Sequence, residues 1–272
     1  MSALLVVDVS SNNGWPLDFS AAKAAGVANV IVKITQGGGK SAYVNPDAQA
    51  AIAAARAAGF QPGAYHFEEP SIPVSEQVAL IKAHADGVGR IFVDSETAAK
   101  TWSAEVAATK GTMDGIKAFA ATGLYAGNTF LDNMAGAPWG EPLWYPNYPG
   151  GYVASDTTPP RPCQMWQWSD NYDVAGIGPC DASWFYGTPA ELAAFFNPPE
   201  LPTPTEADRM RWIDKMPNGD IILTDGASYE VIGAERIAWL KARGVPDYST
   251  DPVKLTAGVV KTLRQLGTTN EI

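Results

Sequence analysis

Apolar segments of strand length recur along the first hundred residues, each followed by a stretch of helical character, at a spacing of roughly thirty residues. Leu4 to Val9, Asn29 to Thr35, Gln61 to Phe67 and the run from Ile91 are the four segments. Their apolarity is continuous rather than alternating, so both faces of each strand must be covered, which is the condition of a parallel sheet flanked by helices. Right-handed crossovers then leave an open doubly wound sheet or a closed barrel. The intervening helices are expected at Ala21 to Ala25, stopped by Gly26, from Asn45-Pro46-Asp47 to Gly59, and from Ser75 to Ala85. Asn45 would cap the second of these, with Pro46 at its first helical position and Asp47 near the positive end of its dipole.

Beyond Glu96 the pattern loosens. A helix is expected over 104–121 and strands at Gly123 to Ala126, Pro142 to Tyr145 and Gln164 to Trp168, with few helices between the last of them. The expected fold is therefore α/β, an irregular (β/α) barrel with few helices over its last strands. Thr188-Pro189-Ala190-Glu191 is a capping box with proline at the first helical position, opening a final helix through Phe196. Asn197-Pro198-Pro199-Glu200-Leu201-Pro202-Thr203-Pro204-Thr205 then places four prolines in nine residues, the composition of an extended linker. Domain boundaries follow: a barrel over 1–197, a linker over 198–205 and a small α+β domain over 206–272. Within the last, Ala207 to Asp214 reads as helical and Ile221 to Val231 as a hairpin turning on Asp225-Gly226. Further helices are expected from Ala234 to Arg243 and from the Asp251-Pro252 cap to Gly267.

Net charge argues against several partners. The chain carries −10, and 1–200 hold 19 acidic against 10 basic residues while 201–272 hold 10 and 9. An acidic barrel repels phosphate backbones and offers no basic face to a membrane, so neither nucleic acid nor a bilayer is an expected ligand. The amino-terminal sequence has no basic stretch or cleavage pattern of a signal peptide. Cys163 and Cys180 lack the partners of a zinc site, and no metal or cofactor is implied; a single bridge and two free thiols both stay open. The loop Gln36-Gly37-Gly38-Gly39 lacks the ending of a phosphate-binding loop.

The chemistry is suggested by Ile91-Phe92-Val93-Asp94-Ser95-Glu96-Thr97, an apolar run that ends in two acids two positions apart. Side chains alternate along a strand, so Asp94 and Glu96 are expected on one side of the sheet. Repulsion and burial drive the pKa values of such a pair apart, as general acid work near neutral pH requires. A strand ending in two solvated acids is the plainer alternative.

Asp94-Ser95-Glu96 is one of six motifs that occur in order. The others are Asp8-Val9-Ser10-Ser11, Val32-Lys33-Ile34-Thr35-Gln36-Gly37, Tyr43-Val44-Asn45-Pro46, Gly63-Ala64-Tyr65-His66-Phe67, and Trp166-Gln167-Trp168-Ser169 before Asp181. Together they resemble the glycoside hydrolase family 25 lysozymes, N-acetylmuramidases of bacteria, fungi and phages, over about 1–190. The resemblance implies a groove at the carboxyl ends of the barrel strands. It implies Glu96 as the general acid, Asp94 as the neighbour that assists the substrate's acetamido group, and Asp8 and Asp181 as the other two acidic positions. Four acids suit a transition state of oxocarbenium character. Substrate assistance with retention of configuration is favoured over direct attack by a carboxylate. Gln36 stands where the family usually has Glu, and Ile34 where a small residue is usual, which bears on what that loop contributes.

Tyr65, His66, Gln36, Tyr125 and Trp166 are the candidate substrate contacts. Of Tyr65 and His66 one should face the barrel interior, and Trp166 shares a face with Trp168, where aromatic rings either stack on sugars or fill a core. The implied function is cleavage of the β-1,4 bond between N-acetylmuramic acid and N-acetylglucosamine in peptidoglycan by a phage endolysin or virion-associated lysin, held in the host cytoplasm until a holin releases it. A barrel that binds glycan without cutting it and a virion structural protein are the alternatives. Residues 206–272 read either as a wall anchor that raises local substrate concentration or as a unit of self-association.

Overall fold

The computed structural model describes residues 3–97, 101–134 and 139–198, together with four short strands in the carboxyl-terminal region. Its main sheet contains β1 (Leu4–Val9), β2 (Asn29–Gln36), β3 (Tyr43–Val44), β4 (Gly63–Phe67), β5 (Arg90–Asp94), β6 (Ala121–Tyr125), β7 (Leu143–Pro146), β8 (Met165–Val174) and β9 (Gly178–Phe185). They run in the order β1-β9-β8-β7-β6-β5-β4-β2-β3, and β1 also pairs with β2. That pairing closes an eight-stranded barrel and leaves the two-residue β3 on its rim. From β1 through β8 the wall is parallel. The closing strand β9 is antiparallel to both β8 and β1.

Helices α1 (Phe19–Ala24), α2 (Ala48–Ala57), α3 (Val74–His84) and α4 (Trp102–Ile116) cover the first half, whereas among the described residues only the six-residue α5 (Asn128–Asn133) follows β6 before the last helix, α6 (Pro189–Phe196). This is the irregular barrel expected from the sequence. The start of α2 differs from expectation. Asn45 accepts from Asp47 N at 3.1 Å and donates Nδ2 to Lys33 O at 2.7 Å, so it ties a turn to β2 while the helix begins at Ala48. The capping box at Thr188 forms as read, with Thr188 N donating to Glu191 Oε2 at 2.7 Å and Glu191 N to Thr188 Oγ1 at 3.2 Å.

Alternation along each strand makes two cores. Outward residues such as Val7, Val32, Ile91 and Val93 meet the helices, and inward residues Val6, Ile31, Phe92, Trp144, Met165 and Phe185 fill the barrel with Leu192 and Phe196 of α6. The amino ends of the strands are thereby plugged. Arg90 Nε donates to Phe195 O at 2.7 Å and its guanidinium lies 4.2 Å from the Phe195 ring centroid. Phe196 fits because Gly63 has no side chain; a Cβ there would lie 2.6 Å from the ring. Only the opposite end remains for a ligand.

The chain divides into two compact units, 1–199 and 200–272. In the second, β10 (Trp212–Lys215), β11 (Ile221–Thr224) and β12 (Tyr229–Ile232) pair antiparallel in sequence, and β13 (Thr269–Glu271) adds parallel to β12. Two expectations are corrected here. Trp212 to Asp214, assigned to a helix, are strand because Ile213 and Asp214 pair with Leu223 and Ile222. The hairpin forms, but Thr224 pairs with Tyr229, a register that is not centred on Asp225-Gly226 as a two-residue turn there requires. The helices expected at 234–243 and 252–266 lie outside the described residues. Cys163 and Cys180 are free thiols, and no bridge forms between them. No helix among the described residues is long and apolar enough to cross a membrane.

Candidate active site

The strands bring four acids to the open end by parity and direction. Asp8 is the last inward residue of β1, and Asp94, at the end of β5, pairs with Phe67 on one side and Tyr125 on the other. Asp181 pairs directly with Asp8. It lies in the first half of its strand rather than at the end, so only the reversed direction of β9 brings it to the rim where Asp8 lies. Asp8 and Asp94 are buried and Glu96 is exposed. Because β5 stops at Asp94, Glu96 reaches the groove from a loop rather than by strand pleat. Ser95 N donates to Tyr125 O and Glu68 N to Asp94 O, each at 2.9 Å, and these bonds hold the loop on both sides.

Gln167 joins the acids to the aromatics. Its Nε2 donates to Asp8 Oδ2 at 2.8 Å and to Asp181 Oδ2 at 3.4 Å. Its Oε1 accepts from Tyr125 Oη and Tyr148 Oη, both at 2.6 Å, and the two hydroxyls lie 3.2 Å apart. Across the groove Lys33 donates Nζ to Gln36 Oε1 at 2.8 Å and lies over the rings of Tyr43, Tyr65 and Phe67. Gln36 passes the bond on, donating Nε2 to Glu69 Oε1 at 3.1 Å.

Every acid in the group is harder to ionise than usual. Burial, then the Asp181 charge, raises Asp8 well above the carboxylate range, and Asp8 carries the proton of that pair. Burial raises Asp181 to about 6 against the hydrogen bond from Asp8. Asp94 is raised well above its usual value by burial first and then by Glu96, with Lys33 opposing. Glu96 is raised by burial, while a hydrogen bond from Tyr125 and the charge of Lys33 pull it down. Asp94 Oδ1 is buried without a hydrogen-bond partner among the described residues. The rim therefore presents an accessible carboxyl that holds its proton more tightly than a free glutamate does, beside a buried one with an unused acceptor.

Of the candidate contacts, Tyr65 and Tyr125 face the interior, packing edge-on against Trp144 with ring centroids 6.2 and 4.6 Å away. Gln36 lies at the rim. His66 is not among them, for its ring is fully buried behind the wall, with Nδ1 2.8 Å from Thr35 Oγ1 and Nε2 3.0 Å from Gln77 Oε1. Trp166 likewise points outward into the helix-side core and donates Nε1 to Asn147 O at 2.8 Å. Gln167, Lys33 and Tyr148 were not singled out from the sequence. The first had a signal: a polar residue between two tryptophans in a strand must face the opposite way from both. Tyr148, 45 % exposed, lies beyond β7 where no periodicity speaks.

The family model for glycosyl hydrolases family 25 matches residues 7–177, a span that includes Asp8, Asp94, Glu96 and Gln167. The chain belongs to this family. It is a glycoside hydrolase. Among solved structures, family 25 relatives share its fold. The bacterial lysozyme from Streptomyces coelicolor is 23% identical, with 72% of this chain and 98% of that one covered at a TM-score of 0.61. The muramidase from Trichobolus zukalii is 21% identical over 72% and 99% at 0.58. The CTP1L endolysin is 18% identical over 78% and 72% at 0.56. No curated protein matches the chain.

Proposed function

We propose that this family 25 hydrolase cuts bacterial peptidoglycan at the β-1,4 bond between N-acetylmuramic acid and N-acetylglucosamine, with Glu96 as general acid and Asp94 assisting the acetamido group. One observation carries the reading: an accessible carboxyl with a raised pKa beside a buried carboxyl whose Oδ1 has no partner among the described residues. Glu96 gives its proton to the leaving oxygen as the carbonyl oxygen of the acetamido group closes on the anomeric carbon. Asp94 receives the amide N–H, and that hydrogen bond favours its ionised form, as Lys33 does. Water then opens the ring with Glu96 as base, and configuration is retained. Asp8 and Asp181, joined through Gln167, line the groove, and the charge of that pair, carried by Asp181, favours the developing oxocarbenium.

A phage lysin is the biological setting this reading favours, on the likeness to the CTP1L endolysin and to muramidases of the family. Residues 200–272 then act as a wall anchor. The test is mass analysis of digested peptidoglycan. New reducing muramic acid ends are expected from the native chain, and Glu96→Gln, which keeps the shape and removes the proton, should lower their yield on the order of a hundredfold or more with the fold unchanged. Intact glycan after exhaustive digestion, with glycan still bound, would replace the hydrolase by the glycan-binding alternative.

A further inference from the structure

Glu68 is buried to 1% exposure in a glycosidase whose groove it does not line. Phe67, its neighbour, pairs with Asp94 inside the barrel, so strand alternation sends Glu68 out behind the wall, on the side that also receives Ser95. There the two meet α4. Ser95 Oγ donates to Glu68 Oε2 at 3.2 Å and Thr112 Oγ1 to Glu68 Oε1 at 2.9 Å. Thr109 Oγ1 lies 2.9 Å from Ser95 Oγ and also bonds to Glu68. Glu68 N donates to Asp94 O at 2.9 Å. Thus the residue between Asp94 and Glu96 is fixed from behind by one buried carboxyl, while the backbone of that carboxyl fixes Asp94.

We propose that Glu68 is a positioning residue for the Asp94–Glu96 pair, acting through Ser95 to set where the general acid projects into the groove. The inference rests on the roles given above to Glu96 and Asp94. The side chains of Glu68 and Ser95 bond to each other, Thr109 and Thr112 behind the wall, so their effect on the reaction passes through the segment they hold. The three hydroxyls around the carboxyl are complementary to its ionised form, which accepts all of them; a protonated carboxyl must turn one hydroxyl away. The titratable groups facing Glu68 are Glu105 from α4, which opposes its ionisation, and Asp94 from β5, whose own value the Glu68 charge raises. Burial, the larger effect, lifts it to about 7 against the hydrogen bonds from Thr109, Thr112 and Ser95. The geometry of the pair is therefore best above that value and loosens below it.

Glu68→Gln, Ser95→Ala and the double variant test this, with kcat, KM and their pH profiles measured on a soluble peptidoglycan fragment. Each single change should lower kcat about tenfold with KM within twofold, and the double variant should be no worse than the poorer single one, because both remove the same link. The rise in kcat through about pH 7 should vanish in Glu68→Gln. A native pH profile and kcat in folded Glu68→Gln would overturn the proposal, as would losses in the two singles that multiply. If Glu68→Gln does not fold, Ser95→Ala decides alone: unchanged kcat rejects the link, and a loss in kcat without one in KM supports it. Failure of the wider reading looks different, since the native chain would then make no new reducing ends and Glu96→Gln would change nothing.

Discussion

Tyr125 has one proton and two acceptors within reach, Gln167 Oε1 and the Glu96 carboxylate. Tyr148 also bonds to Gln167, which leaves the Tyr125 proton available to Glu96. That bond favours ionised Glu96, so removing it must raise the pKa of the acid. In Tyr125→Phe the alkaline limb of kcat, where Glu96 loses its proton, is expected to move to higher pH; a limb that stays or moves down would separate Tyr125 from the acid. The buried carboxyls act on stability as well. Asp94, Asp8, Asp181 and Glu68 all have raised values in the folded chain, with Asp181 at about 6 and Glu68 at about 7. A folded state that binds more protons is most stable below the unfolded carboxylate pKa of about 4 and loses that stability as pH rises through the folded values. The melting temperature should accordingly fall between pH 5 and pH 8, and Asp94→Asn should flatten the fall while abolishing turnover. Thermal melts at the two pH values measure both.

At the scale of elements, α6 and β9 decide what the barrel can hold. The plug at the amino end predicts that Gly63→Ala, which drives a methyl into Phe196, costs about 1–3 kcal/mol. Phe196→Leu in the same chain should recover part of that, and denaturant melts of the two variants check it. Both features differ in how far the sequence declared them. The capping box of α6 and the apolar runs of β1, β2 and β5 were legible because each is a local signal: a hydroxyl and a carboxyl three residues apart, or an unbroken buried strand. β9 was not. Gly178-Pro179-Cys180-Asp181-Ala182-Ser183-Trp184-Phe185 mixes small, polar and aromatic residues, since its inward positions carry Asp181 and Ser183 before the one core residue Phe185, and a strand of that composition has no period to read. The same cause hid Gln167, whereas Asp94 and Glu96 stood out because acids ending an apolar run are conspicuous. His66 shows the opposite error, a reactive residue type used for packing and two internal hydrogen bonds.

The two units of the molecule divide the proposed labour, chemistry in 1–199 and attachment in 200–272. The family match, the barrel and the groove all fall within the first. A chain ending at Pro199 is therefore expected to keep its melting temperature and its turnover of short soluble fragments within about twofold, while activity on whole walls falls about a hundredfold as tethering is lost. Equal activity of both chains on whole walls would remove the anchor, and a change of mass in solution on truncation would make the second unit an assembly element instead.

Asp8 and Asp181 stand on either side of the seam where the barrel's first strand meets its last, with all the other barrel strands between them in the chain. A nascent or broken chain that has not brought β9 back against β1 lacks Asp181, one of the four acids, however well its first strands are formed. On the roles proposed for these acids, the groove gains its full acidic lining only in a finished ring, so the joining of the seam is also the event that completes the proposed site.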